Sequence, residues 1–105
     1  MNGVFEGCTK LKKIDVSSFD TSNVESMVDM FNGCTELEEL DISNFDMSKV
    51  GHLNRMFERC PKLNIGGIKI NKKSATKFER KIPEGIKVIT VDWLIILSIY
   101  QVFNF

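Results

Sequence analysis

The sequence predicts an α/β solenoid, a right-handed coil of repeated units with parallel strands on one side and short helices on the other. Three observations carry the prediction. Side chains recur in register every 26 residues. Each unit holds an LxxLxL run, and between these runs the apolar residues fall at helical spacing. A single unit of this kind cannot bury its own apolar edge, whereas stacked copies can.

The period shows first in the cysteines, Cys8, Cys34 and Cys60, and then in Phe5, Phe31 and Phe57 and in Leu11, Leu37 and Leu63. Ile14-Asp15-Val16-Ser17 returns as Leu40-Asp41-Ile42-Ser43, and Phe19-Asp20 as Phe45-Asp46. Val24, Met27 and Met30 return as Val50, Leu53 and Met56. The runs Leu11–Val16 and Leu37–Ile42 end in apolar-polar-apolar alternation, the mark of a half-buried strand. Ile65–Ile70 repeats the pattern two residues late and Ile86–Val91 repeats it again, which makes about four rungs over residues 1–92.

Between the strands, Ser22-Asn23-Val24-Glu25 has the S-x-x-E form of a capping box. Val24, Met27, Met30 and Phe31 then lie on one face of an expected short helix, and Val50, Leu53, Met56 and Phe57 on one face of the next. In the second helix Gly51 stands where the capping glutamate would be, so its start is expected to fray. Ser74 is expected to cap a third helix carrying Ala75, Phe78 and Ile82, closed by the turn Pro83-Glu84-Gly85.

Composition narrows function by exclusion. Fourteen Lys and Arg balance fourteen Asp and Glu, so no net charge draws the chain to nucleic acid or to an anionic membrane. Three cysteines without CxxC spacing argue against a disulfide framework and against a zinc site. They are expected to form a buried column of small apolar side chains. His52 has no carboxylate or serine constellation around it, and no nucleophile–base pair recurs anywhere. The reading is a binding module, not an enzyme, without catalytic, metal or cofactor residues.

Two candidate surfaces remain. The outward positions of the strand runs are Lys13, Asp15 and Ser17, then Glu39, Asp41 and Ser43, then Lys69, and these form the candidate partner-binding face. Lys13 is expected beside Glu39, a favourable cross-strand pair. Asp15 is expected beside Asp41, an unfavourable one that Lys69 relieves. Asp20 and Asp46 are expected to serve Asx-type turns. The second surface is residues 93–105, an uncharged, apolar cap or interface segment. Its large side chains Trp93, Leu94, Ile96, Leu97, Tyr100 and Phe103 make it a candidate for self-association. At thirteen residues it is shorter than the ~20 that span a bilayer, so membrane contact is not expected.

The run Met30-Phe31-Asn32-Gly33-Cys34-Thr35-Glu36-Leu37-Glu38-Glu39-Leu40-Asp41-Ile42-Ser43, with Phe19-Asp20-Thr21-Ser22-Asn23-Val24, resembles the BspA-type bacterial leucine-rich-repeat surface proteins. Their repeats read roughly MFxGCxxLxxLDLSxFDTSxV. The resemblance covers about residues 4–63, with looser repeats to about 91. It implies a surface-exposed, adhesin-like protein that recognises another protein, with no catalytic residues to carry over. The alternative is a set of structural spacer repeats, or an intracellular scaffold fragment, with no binding site of its own. Residues 1–6 lack the basic and apolar regions of a secretory signal, so a chain complete as it stands would be cytoplasmic.

Overall fold

Glu39–Asp41 forms strand β1, Gly67–Asn71 forms β2 and Val88–Val91 forms β3, paired in parallel in the order β1-β2-β3. Leu63–Gly66 is a single helical turn, α1, and Ala75–Phe78 is another, α2, entered through a 3-10 turn at Lys72–Ser74. The computed structural model describes residues 1–92, and over them the chain is a small α/β domain with a three-stranded parallel sheet and a few short helices.

The two short helices expected near residues 22–31 and 48–57 do not form; turns replace them. The reason lies in where the backbone N–H groups go. Along the second unit, Met27, Asp29, Phe31 and Gly33 donate to the carbonyls of His52, Asn54, Met56 and Glu58 at 2.8, 3.1, 3.0 and 2.9 Å. The residues between them close tight turns instead, Met30 onto Met27, Asn32 onto Asp29 and Cys34 onto Phe31. Gly3, Phe5 and Gly7 make the same bonds to Val28, Met30 and Asn32. Such alternation requires a left-handed residue every fourth position. Gly3, Asp29 and Arg55 (φ 62, 59 and 58) fill one such column, and Gly7, Gly33 and Arg59 (φ 71, 80 and 55) fill the other. An α-helix of L-residues does not tolerate that recurrence. The expected capping box is absent too, because the Ser22 amide and hydroxyl both donate to Asp20 Oδ1, at 3.0 and 2.6 Å.

Inside, the 26-residue period is a set of columns. The rings of Phe5 and Phe31 stack at 5.5 Å and 9°, those of Phe31 and Phe57 at 5.9 Å and 4°, and Phe78 adds a tilted ring at 6.0 Å from Phe57. Met27, Met30, Phe31, Cys34, Leu37, Met56, Phe57 and Leu63 are all buried. Across the strand side, Asn44 Nδ2 donates to the carbonyls of Val16 and Ser17, and Asn71 Nδ2 donates to those of Ser43 and Phe45. These side chains tie each unit to the one before it where the strand pairing ends. Residues 11–16 pair with the second unit through one backbone bond, Glu38 N–H to the Lys12 carbonyl at 3.0 Å, and form no strand.

Two register shifts depart from the expected pattern. Leu63, not Ile65, holds the buried position below Leu37, and α1 takes up the two extra residues, leaving Ile65 62% exposed. The chain leaves α1 at Gly67, whose φ of 82° and close approach to the Lys87 carbonyl exclude a β-carbon. In the last strand Ile68 pairs with Val88 and Ile70 with Thr90, one residue from the expected Ile68–Ile89 alignment. A one-residue slip exchanges the faces of a strand. Val88 and Thr90, not Ile89 and Val91, therefore share the face of Ile68 and Ile70, and Val88 remains 43% exposed. The third expected helix is cut to α2: Asn71 Oδ1, not Ser74, accepts the capping bond, and Ile82 lies beyond the helix end.

The aromatic column should dominate stability. Phe31→Ala is expected to cost ~3–5 kcal/mol, the usual range for a buried Phe. Phe5→Ala, at the half-buried end of the same column, should cost clearly less. Urea denaturation of both variants checks the order, and equal losses would mean that the column is not the core's axis.

Candidate functional site

Strand β1 and the run before it carry the predicted face. Lys13 Nζ lies 3.2 Å from Glu39 Oε1, with both side chains more than half exposed. Asp41 pairs in register with Lys69 on β2, as the sequence spacing requires. Lys13, Asp15, Glu39, Asp41 and Lys69 together line one shallow cavity of about 360 Å³, floored by Ile14, Leu40 and the glycine pair Gly66-Gly67.

Each aspartate of this face is held by its own turn. Asp15 Oδ1 accepts from the Ser17 amide at 3.0 Å and the Ser17 hydroxyl at 2.6 Å, and Asp41 Oδ1 accepts the same pair from Ser43 at 3.0 and 2.6 Å. The Ser17 hydroxyl, then its amide, hold the Asp15 carboxyl below the usual carboxylate range. Ser17 is exposed, but Ser43 is buried, so Ser43 supports the face from beneath and is not part of its surface. Asp20 and Asp46 sit in turns of the same kind, bonded to Ser22 and Ser48. The apolar candidates Trp93, Leu94, Ile96, Leu97, Tyr100 and Phe103 lie outside the described residues.

A second polar face, on the turn side, is not among the predicted candidates. Arg55 meets Asp29 through two bonds, Nε to Oδ1 at 2.9 Å and a terminal guanidinium nitrogen to Oδ2 at 3.2 Å. Arg59 Nε donates to Asn32 Oδ1, and Asn32 Nδ2 donates back to Asp29, so the buried amide is satisfied at both ends. Lys62 Nζ lies 2.7 Å from Glu36 Oε2. The signal for this face was present in the sequence as opposite charges 26 residues apart.

Residues 1–88 match the family described as Mycoplasma protein of unknown function, DUF285. The chain belongs to this family. Comparisons with curated proteins and with solved structures gave no match. The DUF285 match ends at the first residue of β3, so it takes in both polar faces and all three cysteines. Among the described residues no helix is long and apolar enough to cross a membrane, and no group of three His, Cys, Asp or Glu side chains is placed to hold a metal ion.

The cysteine column is buried in two units of three. Cys34 and Cys60 are inaccessible, and their thiols donate to the carbonyls of Phe5 and Phe31 at 3.2 and 3.0 Å. Burial pushes the Cys34 thiol up to about 11 and raises Cys60 in the same direction. Cys8 is only half-buried. A thiol reagent at neutral pH should therefore label Cys8 first and reach Cys34 and Cys60 only on unfolding. Three equally fast thiols in the native protein would contradict the column.

Asp15, Asp20, Asp29, Glu36 and Asp46 are all held below their ordinary values, Asp29 chiefly by its bond to Arg55 and Glu36 chiefly by Lys62. A carboxylate whose folded value is depressed stabilises the fold above its unfolded value. That contribution is lost as pH falls through the folded one. Acid unfolding should begin below the ordinary values of 3.8 for Asp and 4.5 for Glu. Arg55→Gln should move the onset to higher pH by returning Asp29 toward its ordinary value. Circular dichroism across an acid titration checks both.

Proposed function

We propose that the chain is a segment of a leucine-rich-repeat solenoid that serves protein–protein recognition, in the manner of a bacterial surface adhesin. The observation that carries this reading is the convergence of Lys13, Asp15, Glu39, Asp41 and Lys69 on one concavity. Parallel strands hold adjacent side chains at fixed spacing, so a partner meets a preset array of charges at little ordering cost. The unit-to-unit backbone bonds between residues 3–33 and 28–58 support the solenoid reading. Membership of DUF285 supports a repeat-built protein and leaves its activity open. The cell surface is the location that the repeat resemblance favours.

A second reading has its own support. The Ser17 and Ser43 bonds already satisfy the aspartates, and Lys13 is already paired. A spacer segment with binding elsewhere needs nothing more from this face.

Binding separates the two. The chain is immobilised and tested against purified serum and extracellular-matrix proteins. Recognition through this face predicts saturable binding to at least one of them that weakens with salt. Asp15→Asn with Asp41→Asn should weaken that binding by about tenfold, a ~1.4 kcal/mol effect, with folding unchanged because asparagine retains the turn acceptor. Binding that survives the double substitution places the site elsewhere, and no binding to any of them favours the spacer.

A further inference from the structure

We propose that the cavity between the loops of the second and third units binds a sugar that carries a sulfate or phosphate ester. This inference concerns a different surface from the strand face and does not depend on recognition there.

The first support is a seam that stays open. Between the first and second units the loops are closed by Thr21, which is buried. Its hydroxyl donates to the Asp46 carbonyl at 3.2 Å and accepts the Asp46 N–H at 2.8 Å. Between the second and third units, Asn71 holds the carbonyls of Ser43 and Phe45, and Lys77 Nζ reaches the Val50 carbonyl at 2.8 Å. A cavity of about 890 Å³ remains there, lined by residues 43–48 and 71–74 with Lys77, Val91 and Asp92. Its size is that of a small-molecule site.

The second support is charge. Residues 62–92 carry eight Lys and Arg against three Asp and Glu, although the whole chain is balanced. Three of those lysines, Lys72, Lys73 and Lys77, line the cavity. Lys72 Nζ lies 3.9 Å from Asp92 Oδ2, a long ion pair, with its own side chain 75% exposed. Lys73 makes no hydrogen bond or ion pair among the described residues. Lys77 donates to a neutral carbonyl, which leaves its charge unmatched. The carboxylates of the cavity are Asp46 and Asp92. Asp46 already accepts from the Ser48 amide and feels Lys49 as well as Lys73. Residues 93–105 contain no Asp or Glu to add a counter-charge. A cleft with one sign in excess focuses its field and concentrates ions of the opposite sign.

The lining selects the occupant. An ammonium group is a compact charge with three donors, suited to an oxyanion that offers several acceptor oxygens. A bare ion would fill a small part of the cavity and leave its apolar wall, Met47 and Val91, against water. A sugar ring fills the remainder. Its ester meets the lysines, its carbon face packs on Met47 and Val91, and its hydroxyls meet the polar side chains of Asn44 and Ser48. The three lysines gather in one cavity and do not form a track, which suits one or two ester groups and not the repeated phosphates of a nucleic acid.

The test titrates the full 105-residue chain with a sulfated heparin disaccharide and, separately, with glucose 6-phosphate, by calorimetry at low salt. Saturable binding of at least one is expected, and the one that binds tells sulfate from phosphate. The desulfated disaccharide and glucose should bind at least about tenfold more weakly. Lys72→Gln with Lys73→Gln should weaken binding by about tenfold, with the circular dichroism spectrum unchanged because both side chains are exposed. Lys10→Gln with Lys12→Gln removes the same charge from the first unit and should leave binding as it was. Asp15→Asn with Asp41→Asn should also leave it as it was, which keeps failure here distinct from failure of the strand-face reading. The proposal is overturned by no saturable binding of either sugar, by equal effects of the two lysine pairs, or by equally tight binding of a short oligothymidylate.

Discussion

The fold rests on one choice made by the backbone amides between residues 3 and 33: alternate N–H groups leave their own unit and bond to the next. An α-helix would have kept all of them inside one segment, and the units would then have met through side chains alone. The choice requires left-handed residues at fixed places. Glycine meets that requirement without cost at positions 3, 7 and 33. Asp29, Arg55 and Arg59 meet it at ~1–2 kcal/mol each. Those three side chains also pair across the units, Asp29 with Arg55 and Arg59 with Asn32. The local strain and the cross-unit bond thus fall on the same residues, so that stacking offsets what the backbone loses.

Once the amides point outward, the rest of the packing follows. Identical side chains come to lie above one another, which is why a column takes one residue type: flat rings stack at 5.5 and 5.9 Å, and a cysteine fits beneath the carbonyl of the unit before it. Buried polar atoms find partners in the same way. Thr21 reaches the backbone of Asp46, Asn71 reaches two carbonyls of the second unit, and no buried side-chain nitrogen or oxygen among the described residues lacks a partner. The two shifts of register show how far this tolerance extends. Two extra residues are absorbed by α1 while the columns of Leu37 and Ile68 continue, whereas the one-residue slip at β3 turns Ile89 and Val91 away from the core face.

Much of this was legible in the sequence, and the failures have physical causes. Residues that repeat at 26 pointed to the columns, and the LxxLxL run that returns two residues late pointed to the parallel register of Glu39 and Asp41 with Gly67 and Lys69. The helices were misread because Met27, Met30 and Phe31 have helical spacing in a ladder of turns as well as in a helix. The distinguishing signal was the column of Gly7 and Gly33, a hint of positive φ that a helix interior would not repeat. Ile65 was misplaced because LxxLxL fits two frames, and only the packing of Leu63 beneath Leu37 chooses between them. Of the candidate face, the charged residues came together as read, and Ser43 did not, since its hydroxyl turns inward to hold Asp41.

A zero net charge here is not an absence of electrostatics. It results from signs that alternate from unit to unit, Lys13 over Glu39, Asp29 over Arg55, Glu36 over Lys62. Each exposed pair is worth little alone, at most about 1 kcal/mol. Their collective effect is on register. Sliding one unit past its neighbour by a few residues would separate these pairs while leaving many apolar contacts, which are indifferent to which methionine or phenylalanine they meet. Apolar columns therefore supply the attraction, and alternating charges decide which unit follows which. The same division bears on recognition. A surface whose charges are already paired within the stack presents a fixed pattern of dipoles, and its discrimination between partners comes from matching that pattern.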